Sequence, residues 1–384
     1  MATVHWLGAG LSSVPGIRRL AASGQPLVLW NRTLDKAKSA LGGLNGTATA
    51  RQLDWNELGS VVSAGDVVVS MLPAPLHPQV AGVCLDRGSH FVSSSYISPA
   101  MQDLTSAASD AGLCFVNEVG LDPGLDHLLA HELMSCYRES ESFAQTNGHY
   151  FRSYCGGFPK VPNDFRYKFS WSPLGVLNAL KSPAKWIDKG EVQTTNSPWK
   201  SIQDYKARLP HGEEVFEAYP NRDSIPFMQE YGFDPDWNMQ TFVRGTLRLA
   251  GWSQAWAEIF ELVENAAGEE GHHKLVAKSE QLWEQYRYET SESDRVVLSV
   301  DLQVNDDAGQ TVWHQVYCLD ECGHEAGSAM ARLVSLTSSI AVESVLAGHI
   351  KPGVSAAPRK MELVGNWLDQ MRGLGEKIER IQIV

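Results

Sequence analysis

A Pro-Gly turn is surrounded by four ionisable side chains: Glu118, Asp122, Asp126 and His127. Carboxylates beside an imidazole can perform acid–base chemistry or ligate a metal, and a plain loop is the third possibility. The turn lies where a sixth strand ends and a helical pattern begins. We expect Asp122 to face a ligand and Asp126 to cap the helix. Strand alternation would place Glu118 on the face of Asp122. His127 is a secondary candidate for a general base.

Two arginines lie in the stretch FVRGTLR, which we predict to be a strand. Strand alternation places Arg244, Thr246 and Arg248 on one face. Arg222, in YPNRDS, is another candidate cation. A guanidinium can hold a carboxylate through two parallel hydrogen bonds, so these residues predict a site for an anionic small ligand. The alternative is that they form ordinary surface ion pairs.

A glycine-containing segment, LGAGLSS, follows the first strand and precedes a helical stretch. Gly8 would permit a tight turn, and Gly10 would let the backbone approach a pyrophosphate at the helix N-terminus. Ser13 takes the third glycine position, where a small residue permits close packing. The incomplete pattern is weak by itself, and a plain turn is the alternative. Its place in a βαβ unit favours a dinucleotide site, with Leu11 and Ser12 as further contacts.

The second strand ends in WNRTLDK and lacks the acidic residue that binds the ribose 2′-hydroxyl of NAD. Asn31 and Thr33 are neutral, and Arg32 can pair with a 2′-phosphate. We therefore expect NADP(H) rather than NAD(H) as the cofactor. The alternative is a helix cap at Thr33 with a solvated Arg32.

The fourth and fifth strands end in SMLP and SSSYISP. Ligands of open α/β sheets bind at the carboxyl ends of strands, so we assign Leu72, Ser94 and Ser95 to the cofactor site, with Asp54 earlier in the chain. Tyr96 is a candidate catalytic and substrate-binding residue near the nicotinamide. A buried tyrosine that merely finds a hydrogen-bond partner is the alternative.

Short apolar runs and helical stretches alternate from residue 2 to residue 119. This alternation predicts a parallel sheet with crossover helices, in a doubly wound nucleotide-binding domain. The alternation stops near residue 123. Residues 296–304 and 311–319 then predict an antiparallel hairpin, and a tryptophan-rich helix precedes them.

The composition is that of a globular protein, with 384 residues, 43% hydrophobic residues and a net charge of −13. This charge would repel nucleic acid and anionic membrane surfaces, so we expect neither partner. Six scattered cysteines and the absence of a leader-like start predict a cytoplasmic protein. The group of Cys318, Cys322 and His324 is too loosely spaced to predict a metal site.

Five motifs occur in the order NEVGLDPGLDH, YKFSWSP, YPNRDS, RGTLR and SAMARLVSL. In this order they resemble the saccharopine dehydrogenase family, specifically its NADP-dependent, glutamate-forming reductases, over nearly the whole chain. The resemblance implies reversible condensation of glutamate with 2-aminoadipate 6-semialdehyde, through an imine reduced by NADPH, to give saccharopine.

The resemblance also implies an α/β architecture with two domains. A Rossmann-type, doubly wound NADP-binding domain would comprise residues 1–122 and 328–384. Residues 123–327 would form a second α/β domain for substrate binding and dimerisation, with a small helical insertion at about 250–290. Members of the family are usually homodimers.

Site roles follow from the resemblance at matching positions. It implies substrate contacts at Arg222, Thr246 and Arg248, and it places Trp171 near the nicotinamide. Leu121, Asp122 and Pro123 would contact the cofactor. Asp122 would also bind the protonated secondary amine of saccharopine, or hold a proton during imine formation.

Two other functions compete with this hypothesis. A related imine-reducing dehydrogenase, of the carboxynorspermidine or opine type, would act on a different partner. A diamine site would favour carboxylates and aromatic rings over arginines. A non-catalytic NADPH sensor would bind the cofactor without turnover, and the arginines argue against it.

Overall fold

The computed structural model describes residues 1–44, 46 and 48–384. Its strands are β1 Val4–Leu7, β2 Leu27–Asn31, β3 Ala48–Gln52, β4 Val67–Ser70, β5 His90–Ser93, β6 Cys114–Val116, β7 Gly148–Pro159, β8 Ala184–Asp188, β9 Glu191–Thr195, β10 Gln203–Leu209, β11 Gly212–Pro220, β12 Met239–Leu249, β13 Asp294–Asn305, β14 Thr311–Cys322, β15 Gly353–Ser355 and β16 Ile378–Gln382. Its α-helices are α1 Val14–Ala22, α2 Leu34–Ala40, α3 Trp55–Val61, α4 His77–Arg87, α5 Pro99–Gln102, α6 Thr105–Asp110, α7 Leu125–Arg138, α8 Pro173–Leu180, α9 Pro226–Glu230, α10 Trp252–Ala255, α11 Ala257–Asn265, α12 Gly268–Tyr286, α13 Ala329–Leu346 and α14 Met361–Gly373.

The chain divides into two compact units. The first unit comprises Met1–Leu128, Glu325–Gly327 and Ala331–Leu374. The second comprises Leu129–His324, Ser328–Met330 and Gly375–Val384. Each unit has its own sheet, and both contain helices, so the α/β class is confirmed.

The first unit contains a seven-stranded sheet in the order β15-β6-β5-β4-β1-β2-β3. All its neighbouring strands are parallel. The residues of β1 and β4 are buried throughout, because helices cover both faces of a doubly wound sheet. The predicted Rossmann-type fold is therefore confirmed, and its strand ends converge on one edge.

The second unit contains a nine-stranded sheet whose main path is β10-β11-β12-β7-β13-β14-β16. The pair β12 and β7 is parallel, while β13 and β14 form the expected antiparallel hairpin. The tryptophan-rich segment is core: Trp252 and Trp256 are both 0% exposed and pack with α8 and α12 residues. The apolar spacing of this segment reflects that burial.

The C-terminus departs from the expected domain boundary. Residues 328–384 were expected to complete the nucleotide-binding domain, but Gly375–Val384 belongs to the second unit because β16 pairs with β14. The first unit also continues to Leu128, into the first turn of α7, rather than ending at residue 122.

One helix, Ala329–Leu346, is long and apolar enough to span a membrane, with a mean hydropathy of 1.3. Within the protein, 78% of that window is buried. Such burial is the pattern of a core helix of a globular protein.

Candidate functional site

The glycine loop after β1 leaves open space at Gly10. Gly8 has a φ of 102°, and its N–H donates to the carbonyl of Trp30 at 2.7 Å. A Cβ at Gly8 would lie 3.2 Å from the carbonyl oxygen of Met71, whereas a Cβ at Gly10 would meet nothing within 4 Å. The start of α1 therefore has room for a phosphate group, which the positive end of the helix dipole favours.

Close packing of α1 occurs at Gly16, not at the predicted position Ser13. A Cβ at Gly16 would lie 2.2 Å from the carbonyl oxygen of Ser335, and the Gly16 N–H donates to the Ser335 hydroxyl at 2.8 Å. The Ser13 hydroxyl is buried and has no hydrogen-bond partner in the described part of the chain. Leu11 is exposed and Ser12 is half-buried in the turn before α1. Sequence reasoning missed Gly16, although a glycine inside a helical pattern is a signal of close packing.

The end of β2 presents Arg32 to solvent. Asn31 accepts the N–H of Ala9 at 3.1 Å and donates to the carbonyl of Thr33 at 2.9 Å, which fixes the segment on both sides of Arg32. The Thr33 side chain makes no cap bond to α2. Arg32 is exposed and pairs with no residue within the described ranges. Its guanidinium is therefore available to a phosphate.

Four other predicted cofactor residues have defined surroundings. Asp54 caps α3, because its carboxylate accepts the N–H of Glu57 at 2.8 Å. Leu72 is half-buried against the core of the first unit, and Leu121 is 3% exposed. The Ser94 hydroxyl lies 3.7 Å from a methionine sulfur. Contacts of this kind are compatible with cofactor binding, which remains a prediction for these residues.

A buried imidazole that sequence reasoning missed lies at the carboxyl ends of β4 and β5. His77 bonds Ser70 through Nδ1 at 2.9 Å. Its Nε2 lies 3.1 Å from the Ser93 hydroxyl and 2.9 Å from the Ser95 hydroxyl. Burial lowers the pKa of His77 to about 4, so the ring is neutral near neutral pH. The imidazole thereby links two strand ends immediately before Tyr96.

The two predicted catalytic residues form a hydrogen-bonded pair. Tyr96 donates its hydroxyl to Oδ1 of Asp122 at 3.0 Å, and both side chains are half-buried. The Asp122–Pro123 peptide bond is cis. Gly124 has a φ of 146°, and a Cβ there would lie 2.2 Å from the carbonyl oxygen of Gly120. The loop that carries Asp122 therefore requires glycine at position 124.

Glu118 and Asp122 do not share a strand face, so that expectation is wrong. Strand β6 ends before this segment, and Glu118 has a φ of 56°. The carboxylate of Glu118 instead bonds Nε2 of His127 at 3.0 Å. Asp126 is 0% exposed and accepts the N–H of Gly124 at 2.7 Å, directly before α7. Of the ionisable side chains near the turn, Asp122 is thus the candidate that faces a ligand. The other three are buried: Glu118, Asp126 and His127.

In the second unit, the guanidinium of Arg248 lies among aromatic rings. Arg248 is 6% exposed, and its Cζ lies 5.1 Å from the ring centres of Tyr167 and Trp252 and 5.7 Å from that of Tyr219. It donates to the carbonyl of Leu247 at 3.0 Å, while its Nε has no hydrogen-bond partner among the described residues. Among the residues that the structure describes, no carboxylate pairs with it. A buried cation with an unused donor is suited to a ligand carboxylate.

The remaining predicted ligand residues of the second unit lie on β12 or in loops. Arg244 is 3% exposed, and its guanidinium stacks on Phe227 at 4.0 Å. Thr246 is half-buried between the two arginines of the strand. Arg222 is exposed after β11, with a φ of 60°, and Trp171 is 36% exposed before α8. Strand alternation therefore correctly grouped Arg244, Thr246 and Arg248.

The cysteine and histidine motif of the sequence lies on β14 and just after it. Cys318 is buried and Cys322 is half-buried, both on β14. No group of three or more His, Cys, Asp or Glu residues in the described ranges is arranged to hold a metal ion.

Two protein-family models match the chain. The model described as saccharopine dehydrogenase NADP binding domain matches residues 4–116. The model described as saccharopine dehydrogenase C-terminal domain matches residues 120–375. The chain therefore carries an NADP-binding domain, which agrees with the cofactor expected from Arg32.

Curated relatives and a solved structure are similar to this chain. Alpha-aminoadipic semialdehyde synthase, mitochondrial, of Mus musculus is 39% identical over 202 residues, which cover 52% of this chain and 21% of that protein. Saccharopine dehydrogenase (NADP(+), L-glutamate-forming) of Schizosaccharomyces pombe is 26% identical, with 99% of this chain and 98% of that protein aligned. The apo saccharopine dehydrogenase (L-Glu forming) structure from Saccharomyces cerevisiae has a TM-score of 0.81 at 27% identity and covers 100% of both chains.

Coverage differs among the relatives. The chain spans 21% to 55% of the length of several of the curated proteins that it matches. The two family models together account for most of the chain. The protein therefore belongs to the saccharopine dehydrogenase family.

Proposed function

We propose that this protein is an NADP-dependent saccharopine dehydrogenase of the L-glutamate-forming type. In the reductive direction, the amine of glutamate condenses with the aldehyde of 2-aminoadipate 6-semialdehyde, and water leaves. The resulting imine gains a hydride at carbon and a proton at nitrogen to give saccharopine. A relative named for this activity aligns over 98% of its own length, which supports the proposal.

The observation that carries the proposal is the buried guanidinium of Arg248, which pairs with no carboxylate among the described residues. Saccharopine has three carboxylates, and a chain with a net charge of −13 must hold them with local cations. The aromatic rings stabilise the Arg248 charge without neutralising it. The guanidinium can therefore bind a carboxylate through two parallel hydrogen bonds. We assign the substrate carboxylates to Arg248 and Arg222, with Thr246 as a hydroxyl contact.

The first unit fits NADP(H) through two independent features. The space at Gly10 would hold the pyrophosphate, and the exposed guanidinium of Arg32 would pair with the 2′-phosphate. When bound, NADPH supplies the hydride. The neutral His77 fixes the strand ends that carry Ser95 and Tyr96, and so keeps this edge of the sheet ordered.

The pair of Tyr96 and Asp122 provides the polar chemistry at the loop after β6. Tyr96 orients the Asp122 carboxylate through its hydroxyl proton. Asp122 then either binds the protonated secondary amine of saccharopine or holds a proton during imine formation. Asp122→Asn separates these roles: a loss confined to KM indicates amine binding, and a loss in kcat indicates proton transfer.

We also infer that the enzyme is a cytoplasmic homodimer, and we assign substrate binding and dimerisation to residues 123–327. Saccharopine, glutamate and aminoadipate semialdehyde are the proposed small-molecule partners, with no role for nucleic acid or membranes. Size-exclusion chromatography with light scattering tests the assembly, and the mass of a single chain would contradict it.

The decisive experiment is a spectrophotometric assay of NADP+ reduction. Saccharopine is compared with a panel of N-carboxyalkyl amino acids and polyamine adducts, and we expect turnover with saccharopine and NADP+. Arg248→Met should raise the KM for saccharopine at least about tenfold while the Kd of NADPH stays unchanged. Turnover of a polyamine adduct without turnover of saccharopine would refute the proposal.

A further inference from the structure

Glu118 holds the segment that carries Tyr96 at two points. Its carboxylate Oε1 accepts the N–H of Ile97 at 2.9 Å. Its own N–H donates to the carbonyl of Ser95 at 3.1 Å. The residues on both sides of Tyr96 are therefore bonded to one buried glutamate, which is 5% exposed.

Asp126 holds the loop that carries Asp122. Its Oδ1 accepts the N–H of Gly124 at 2.7 Å, and the side chain is fully buried. The carbonyl of Pro123 accepts the N–H of Gly120 at 2.9 Å, which closes the loop. The backbone path of Asp122 is thus set by Asp126 from one side.

His127 lies between the two carboxylates. Its Nε2 lies 3.0 Å from Oε2 of Glu118, and its Nδ1 lies 3.7 Å from Oδ2 of Asp126. The imidazole is 4% exposed, so no bulk water screens these interactions. A buried carboxylate that lost this partner would keep its desolvation cost with less compensation.

We propose that His127 is a positioning residue that fixes the geometry of the Tyr96–Asp122 pair. Glu118 extends from His127 to the Tyr96 segment, and Asp126 extends from His127 to the Asp122 loop. The hydrogen bond from Tyr96 to Asp122 closes this ring of contacts, at 3.0 Å. Rigid support of this kind holds reacting groups in the productive arrangement. The inference rests on the proposed function for its catalytic consequence.

Two substitutions at His127 distinguish the effect of its hydrogen bond to Glu118 from the effect of its side-chain volume. The side-chain nitrogen of Gln can occupy the place of Nε2 and donate to Glu118, whereas Asn is too short to reach it. We expect His127→Asn to lower kcat by about tenfold to a hundredfold, and His127→Gln to retain most of it. The Kd of NADPH should change less than about twofold in both, because Gly10 and Arg32 are untouched.

His90→Asn serves as the matched control. Nδ1 of His90 accepts the N–H of Cys114 at 3.0 Å at the start of β5, at the opposite end of that strand from Tyr96. We expect its kcat to equal that of the wild type. Equal losses in His127→Asn and His90→Asn would indicate a general packing effect and overturn the inference.

A double-mutant cycle tests whether His127 acts through the pair. Tyr96→Phe removes the hydroxyl that bonds Asp122. Adding His127→Asn to this variant should therefore lower kcat much less than His127→Asn lowers it in the wild type. Additive losses would overturn the inference. Wild-type turnover of saccharopine is measured in the same series, so its absence contradicts the proposed function separately.

A crystal structure of His127→Asn needs no turnover and completes the test. We expect the Tyr96 hydroxyl and Asp122 Oδ1 to lie beyond hydrogen-bonding distance in that variant. An unchanged pair would overturn the inference even if the substrate proposal held.

Discussion

Replacing Gly16 by Ala should destabilise the first unit through a backbone collision. The new Cβ would lie 2.2 Å from the carbonyl oxygen of Ser335 and 2.7 Å from its carbonyl carbon. Ordinary contact begins at 3.4 Å, and backbone atoms cannot rotate away as a flexible side chain would. Helix α1 must therefore move away from α13, which also weakens the hydrogen bond from the Gly16 N–H to Ser335. Overpacking of this kind costs about 1–3 kcal/mol.

Gly10→Ala is the matched comparison for cofactor binding. Its Cβ would meet no protein atom within 4 Å, so the free energy of unfolding should change by less than about 0.5 kcal/mol. The same methyl group would occupy the space proposed for the pyrophosphate. We therefore expect the Kd of NADPH to rise at least about tenfold in this variant.

Thermal unfolding of the apo protein and calorimetric titration with NADPH measure the two effects. A cost of about 1–3 kcal/mol lowers the Tm of a unit of this size by about 2–10 °C, and only Gly16→Ala should show it. An unchanged Tm in Gly16→Ala would refute the packing argument. Wild-type NADPH affinity in Gly10→Ala would refute the location of the pyrophosphate.

Three further predictions concern other contacts. Arg32→Ala should raise the KM for NADPH at least about tenfold and leave that for NADH unchanged, and equal changes would contradict the 2′-phosphate contact. Arg222→Met should raise the KM for saccharopine more than about threefold, whereas Arg372→Met, in an exposed pair with Asp369, should not. The pKa of His77 is lowered to about 4 by burial, so stability is full above pH 6.5 and falls toward pH 4. His77 alone should contribute about 2 kcal/mol less stability at pH 5 than at pH 7, so the pH dependence of urea unfolding should be smaller in His77→Gln than in the wild type.

Structural features that depend on local sequence patterns, such as apolar runs and strand alternation, were predictable. The parallel sheet follows from short apolar runs separated by helical stretches, and the β13–β14 hairpin from two facing strand patterns. Alternation also placed Arg244 and Arg248 on one face of β12, as the structure has them. These predictions succeeded because each depends on residues within one element or on adjacent elements.

Contacts between distant segments were not predictable in the same way. Gly16 packs against Ser335, which lies more than 300 positions later in the chain. Nothing near Gly16 specifies that partner. His77 likewise meets serines from two separate strands, and Glu118 was assigned to the wrong face because β6 ends earlier than its apolar run suggests. Each of these features requires the packing of whole elements before it exists.

The aromatic surroundings of Arg248 suit the anion binding that we propose for this acidic chain. An exposed arginine would be screened by salt and paired with one of the many carboxylates. Arg248 is instead buried, where weaker screening makes its charge act more strongly on a ligand. The rings of Tyr167 and Trp252 stabilise this charge through their faces, and no carboxylate in the described part of the chain pairs with its N–H donors. Replacing Trp252 by Leu should therefore weaken saccharopine binding although no cation is removed. If the carboxylate were instead held by an exposed arginine, this substitution would leave the affinity unchanged.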